Sequence, residues 1–133
     1  MSERYFSPDE VDALIPTLTA IVERLQSAHT TVEETRTRMQ AEHRRLTMAG
    51  GGVLDQARWR ADRASLDAAV VRAQAAVEEI HAAGGVPKGV EEGLVDFPHL
   101  RDGRVVNLCW KYPETRIQWW HGMDEGYTAR KPL

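Results

Sequence analysis

Three residues in the last third of the chain have the chemistry of metal ligands: His121, Asp96 and Glu125. An imidazole such as that of His121 binds transition metals or transfers protons near neutral pH. Asp96 lies in the otherwise apolar stretch 94–98, where a carboxylate is costly to bury unless a proton, a cation or backbone donors satisfy it. One histidine with one or two carboxylates suits Fe, Mn or Zn. We therefore expect His121 to anchor a divalent transition metal, with Asp96 as ligand or orienting group and Glu125 as a third group.

The same residues also have a purely structural interpretation. Asp96 would then cap a turn or pair with Arg104 or Arg130, and His121 would bond to the backbone. The sequence leaves both interpretations open.

Cys109 is the only cysteine, and its role depends on how the strands pair. If Pro113-Glu114 is a symmetric two-residue turn, Val106 faces His121, and Cys109 lies on the opposite face of the sheet. One extra bulged residue would bring Cys109 to the face of His121. We favour the first register because it gathers the apolar residues against the helices, and we interpret Cys109 as a small buried hydrophobe that is dispensable for function.

An aromatic cluster and a helical motif offer two further candidate sites. The aromatic cluster could line a binding pocket or present a cation–π surface, although such clusters are more often core. The predicted pocket residues are the three tryptophans of this segment and one arginine: Trp110, Trp119, Trp120 and Arg130. Glu78-x-x-His81 has the spacing of di-metal helical bundles, in which a homodimer would supply two copies and Glu23 the remaining ligands. Both side chains of that motif flank the apolar stripe of their helix rather than lying on it.

Two long helices must precede these residues. Ser7-Pro8-Asp9-Glu10 is a capping box and opens a predicted helix over residues 7–49. A glycine triplet ends this helix, and a second one is predicted over residues 54–83, antiparallel to the first. Turn signals at Asp102-Gly103 and Pro113-Glu114 then predict three antiparallel strands within residues 94–121, followed by a tail over residues 122–133. The fold class is mostly α: a long antiparallel helical hairpin followed by a small β meander.

Composition places the 133 residues in one domain of ordinary globular character. A net charge of −3 draws the chain neither to nucleic acid nor to anionic membrane, and the arginines at residues 36–63 are interleaved with acidic residues. No apolar run is long enough to span a bilayer. A single cysteine favours a reducing, cytoplasmic setting. The apolar stripe of the second helix needs cover beyond one partner helix, which predicts a homodimer; its members are Leu66, Val70, Ala73, Val77 and Ile80.

The C-terminal segment from Gly93 onward resembles the signature of a small bacterial family, domain of unknown function 2203. The matching residues are Gly93, Leu94, Asp96, Phe97, Pro98, Asp102, Gly103, Arg104, Cys109, Trp110, Trp120, His121, Gly126, Arg130 and Pro132. Pro113 stands where the family pattern implies glycine. The resemblance implies a helical first half but no established activity.

We therefore expect a small cytoplasmic metal-binding protein, a metal-dependent enzyme being one form of that function, with its site in the C-terminal β segment. The alternative is a non-catalytic interaction module that binds an unknown protein or small molecule through the helical hairpin or the tryptophan-rich sheet.

Overall fold

The computed structural model describes residues 4–50 and 52–133. Two helices, α1 and α2, are followed by five strands, β1 to β5, with a short 3₁₀ turn at Tyr127–Ala129. The elements are α1 Pro8–Met48, α2 Gln56–Ala82, β1 Val86–Gly89, β2 Leu94–Arg101, β3 Arg104–Lys111, β4 Trp119–Gly122 and β5 Lys131–Pro132. The predicted order of a helical hairpin and then a β meander is confirmed, and β1 and β5 extend the expected three strands to five.

Helix α1 begins where its capping box predicts. The Glu10 amide donates to the Ser7 hydroxyl at 3.1 Å, and the Ser7 amide donates to the Glu10 carboxylate at 3.0 Å. These bonds satisfy two backbone donors that the first helical turn leaves unpaired. The preceding Phe6 is buried in the same core cluster as Val11, so the N-terminal segment is fixed against the helix.

Helix α2 begins at the Asp55 N-cap, whose carboxylate accepts from the Arg58 amide. It lies antiparallel to α1, because ion pairs join Arg24 to Glu79 at one end and Arg38 to Asp62 nearer the other. Ala69, Ala76 and Ile80 form the buried face of α2. Small alanine side chains at the contact allow two helices to approach closely.

The sheet is antiparallel throughout and its strands follow chain order, from β1 at one edge to β5 at the other. The β2–β3 hairpin turns at Asp102-Gly103, where both residues have positive φ (50° and 78°) as a type I′ turn requires. One face of the sheet packs on the helices through Val95, Phe97, Leu108 and Trp110.

No helix within residues 4–50 and 52–133 combines the length and apolar character needed to cross a membrane. A single chain is described, so the homodimer remains a prediction. Its basis is visible on α2, where Leu66, Val70, Ala73 and Val77 are only partly buried and Val71 is 63% exposed.

Candidate metal centre

The register of β4 brings His121 to the same face of the sheet as Cys109, which is the alternative to the expected register. Asn107, not Val106, pairs with His121, and Leu108 pairs with Trp120. The predicted symmetric turn at Pro113-Glu114 is therefore wrong by one residue. Because side chains alternate along a strand, His121 shares a face with Cys109 instead of lying opposite to it.

The shift arises in the loop between β3 and β4. The Lys111 amide donates to the Glu114 carboxylate at 2.8 Å, and the Trp110 indole donates to the Glu114 carbonyl at 2.8 Å. Further along, the Ile117 amide donates to Asp12 of α1 at 2.6 Å. The chain thus leaves the sheet after β3 to contact α1 and rejoins it only at Trp119, so the connection is a long loop and not a tight turn.

Asp96, Cys109 and His121 form one compact group. Each offers a ligand atom, and the three atoms lie within 4.8 Å of one another. The residues come from β2, β3 and β4, with Asp96 directly opposite Cys109. Their sequence neighbours Val95, Phe97, Leu108 and Trp110 face the helices, so the group occupies the other face of the sheet.

The group itself is nonetheless closed to solvent. Asp96, Cys109 and His121 are 2%, 1% and 2% exposed. Arg130, from the segment before β5, anchors the C-terminal chain to this part of the sheet: its guanidinium donates to the Cys109 carbonyl at 3.2 Å and forms an ion pair with Glu114 at 2.7 Å. Burial in a medium of low polarity makes the charge state of every member of the group energetically important.

The hydrogen bonds of His121 define its tautomer. Nδ1 lies 2.8 Å from the Gly122 carbonyl oxygen, which can only accept, so Nδ1 carries a hydrogen. Nε2 lies 3.1 Å from Oδ2 of Asp96. A neutral imidazole would then point a lone pair at a carboxylate, and two acceptors repel at this distance. The contact requires a cation between or beside them, either a proton or a metal ion. The backbone acceptor on Nδ1 is the outer partner that a metal-bound histidine normally has.

The surroundings of Cys109 favour its protonated thiol. Burial, and secondarily the charge of Asp96, raises its pKa to about 12. A thiol with so high a pKa is a poor nucleophile at neutral pH, which argues against nucleophilic catalysis by Cys109. A metal ion reverses this preference, because a coordinating thiol loses its proton.

Asp96 has unused bonding capacity. Its Oδ2 faces His121, while Oδ1 is buried and has no hydrogen-bond partner in the described parts of the chain. A buried carboxylate oxygen without a partner carries a desolvation cost that a bound cation would remove.

Glu125, the predicted third group, lies outside this cluster. Its carboxylate accepts from the Gly122 amide at 2.7 Å and from Lys131 at 2.6 Å, and these contacts hold its pKa below the usual value. Glu125 therefore stabilises the turn after β4, next to the Gly122 carbonyl that accepts from His121.

The predicted aromatic pocket residues do not share one surface. Trp110 is fully buried against the helices, and Trp120 packs beside that core. Trp119 lies on the other face, where the Arg130 guanidinium stacks over its ring at 5.2 Å. Arg130 therefore joins Trp119 to the backbone of β3 at Cys109.

The alternative metal motif on the helices is not assembled. Glu78, His81 and Glu23 are all exposed, and the one metal-capable group within residues 4–50 and 52–133 is that of Asp96, Cys109 and His121.

Cys109 was not predicted as a member of the group, because a tight turn was expected between β3 and β4. The polar and aromatic residues between Lys111 and Trp119 were the available signal, since a seven-residue loop can shift the register where a two-residue turn cannot.

The chain belongs to the family of uncharacterized conserved proteins DUF2203, whose model matches residues 4–133. No curated protein and no solved structure matches it. The family carries no assigned activity, so function has to be argued from the buried group itself.

Proposed function

We propose that this protein binds a divalent transition metal through Asp96, Cys109 and His121. The observation that carries the proposal is the 3.1 Å contact between His121 Nε2 and Asp96 Oδ2, with Nδ1 held by the Gly122 carbonyl. This arrangement presents a lone pair and a carboxylate to the same point, with a sulfur nearby.

The spacing of the three atoms suits a tetrahedral ion after a small closure. Zinc bonds of about 2.0–2.3 Å place neighbouring ligand atoms roughly 3.3–3.6 Å apart. The nitrogen–oxygen separation of 3.1 Å is already near this value, and the upper limit of 4.8 Å within the group leaves about 1 Å to close.

The three ligand types narrow the choice of metal ion. Histidine and carboxylate ligands alone are compatible with Fe, Mn or Zn. A thiolate is a soft ligand that selects zinc, copper(I) or iron, whereas manganese favours carboxylates and water. The inclusion of Cys109 therefore favours zinc, with iron as the second choice.

The rival function is an interaction module without a metal. In that case a proton satisfies the His121–Asp96 contact, and the buried group is only a polar element of the core. A reducing, cytoplasmic setting and a homodimer fit either function, and both belong to the proposal.

The test is metal content and cobalt binding of untagged protein. We expect purified wild type to contain about one zinc or iron per chain, and cobalt-loaded protein to show a thiolate-to-cobalt charge-transfer band in the near ultraviolet. His121→Ala should lose metal binding, and Cys109→Ser should lose the charge-transfer band. Asp96→Asn should bind more weakly, because an amide oxygen coordinates without charge.

The control is His81→Ala, which removes an exposed imidazole from α2 and should behave as wild type. A metal-free wild type that takes up no cobalt, and whose His121→Ala variant merely melts earlier, would leave the interaction module as the better account.

A further inference from the structure

Asn107 is the only asparagine in the chain and stands beside the buried group. It pairs directly with His121 across β3 and β4, and it lies two residues before Cys109 on the same strand. Directly opposite residues on one face of an antiparallel pair have Cβ atoms about 4.5–5.5 Å apart. Asn107 therefore neighbours two of the three proposed ligands on their own face of the sheet.

The Asn107 amide is free to bind a further group. The residue is 7% exposed, and its amide group makes no hydrogen bond within residues 4–50 and 52–133. An amide carries one carbonyl acceptor and two N–H donors, so its oxygen is available as a ligand. Its neighbour Asp96 also has an unpartnered oxygen, Oδ1. The free Asn107 amide and the unpartnered Asp96 oxygen lie on one face, beside His121 and Cys109, where one ion can contact both.

We infer that the Asn107 side-chain oxygen is the fourth ligand of the metal and closes the site. This inference rests on the proposed function, since it names the group that completes the same centre. Three protein ligands would leave an open position for water or substrate, as in catalytic zinc sites, whereas four protein ligands define a structural one. With Asn107 bound, the metal has no position for a substrate.

Charge balance supports a neutral fourth ligand. The Cys109 thiolate and the Asp96 carboxylate together carry two negative charges, which cancel those of a divalent cation. His121 and Asn107 add none. A net charge of zero suits a centre whose three proposed ligands are each at most 2% exposed, because any residual charge would be expensive to bury.

Azide binding to the cobalt-loaded protein tests the inference, because azide occupies an open coordination position and alters the visible cobalt spectrum. The wild-type spectrum should not change with azide. Asn107→Ala should bind cobalt at least about tenfold more weakly, the loss that follows even from removing an outer partner of a metal site. Its cobalt spectrum should respond to azide, since truncation opens the fourth position.

Val105→Ala is the matched control, because Val105 lies two residues away on the same strand and face. It should retain wild-type cobalt affinity and remain insensitive to azide. An azide response in wild type would overturn the inference and indicate a catalytic type of site, and this arm needs no variant to fold. An Asn107→Ala protein with wild-type affinity and no azide response would also overturn it. A wild type that binds no cobalt contradicts the proposed function itself, which separates the two failures.

Discussion

The helical hairpin and the sheet use the same kinds of charged residue in opposite ways. On the hairpin, Arg24 and Glu79 pair at 2.7 Å with about half of each side chain exposed. In the sheet, His121 and Asp96 meet at 3.1 Å with 3% of each side chain exposed. Exposed pairs are screened by water and contribute little, whereas a buried pair must be fully satisfied or it destabilises the fold.

This difference separates the part of the molecule that needs only stability from the part that carries the candidate site. The hairpin keeps its charges in water and buries apolar side chains, which is what stability alone requires. The sheet instead buries a carboxylate, an imidazole, an amide and a thiol on the face away from the helices, an arrangement that lowers stability unless a proton or a bound cation satisfies it. The hairpin is therefore the scaffold, and the far face of the sheet is the candidate working surface.

The largest expected effect would come from removing a large side chain from the core that the hairpin and the sheet share. Trp110 is fully buried where β3 meets the helices. Trp110→Ala should cost about 3–5 kcal/mol, because it leaves a large cavity in the shared core. Denaturant unfolding followed by circular dichroism and by fluorescence should show both halves lost in a single transition. Trp59→Ala, near the hairpin tip, is the control and should cost far less. Helical signal that persists after the sheet has unfolded would mean that the two regions are independent.

Metal removal should weaken the sheet by a smaller amount. At a free metal concentration of 100 times Kd, binding adds about 2.7 kcal/mol to the free energy of unfolding. For a chain of this size that corresponds to a rise in Tm on the order of 10 °C. Thermal melts with added zinc and with chelator measure this shift. The Tm of His121→Ala should be the same with zinc and with chelator. A wild-type Tm that does not change when zinc is added would contradict metal binding at the buried group.

The smallest effect concerns the first turn of α1. Hydrogen bonds from the Ser7 backbone and side chain lower the pKa of Glu10. A carboxyl whose pKa is lower in the folded than in the unfolded state stabilises the fold above its unfolded pKa, and this contribution disappears as pH falls through the folded value. Glu10→Ala should therefore lower Tm at pH 7, and the difference from wild type should shrink in acid. Glu34→Ala, on an exposed part of α1 away from the cap, is the control and should leave the Tm at pH 7 close to that of wild type, and metal content should be unchanged in both.

The helices were predictable because their signals are local. The capping box at Ser7 and Glu10 lies within one turn, and Gly84-Gly85 directly follows the last turn of α2. The Asp102-Gly103 turn was predictable for the same reason, since two consecutive residues supply the positive φ angles. In each case the interacting residues are close together in the sequence.

The site was only partly predictable because its register depends on a distant contact. His121 and Asp96 could be recognised as a pair, since a carboxylate in an apolar strand needs a partner. The inclusion of Cys109 depends on the loop that ties Ile117 to Asp12 across 105 residues of sequence. No local pattern around Pro113 encodes that bond. The short strands β1 and β5 were missed because two to four residues cannot establish an alternating pattern.

The junction between α2 and the sheet has a consequence for the order of assembly. A Cβ on Gly84 would overlap the Phe6 ring, and one on Gly85 would lie 2.7 Å from Val95. The Phe6 amide also bonds to the Pro98 carbonyl at 2.7 Å. Three segments separated by up to about ninety residues thus meet at one point, and closing loops of that length costs more entropy than forming a helical hairpin or a β turn. We expect the hairpin and the β2–β3 turn to form first, and the glycine junction to close last.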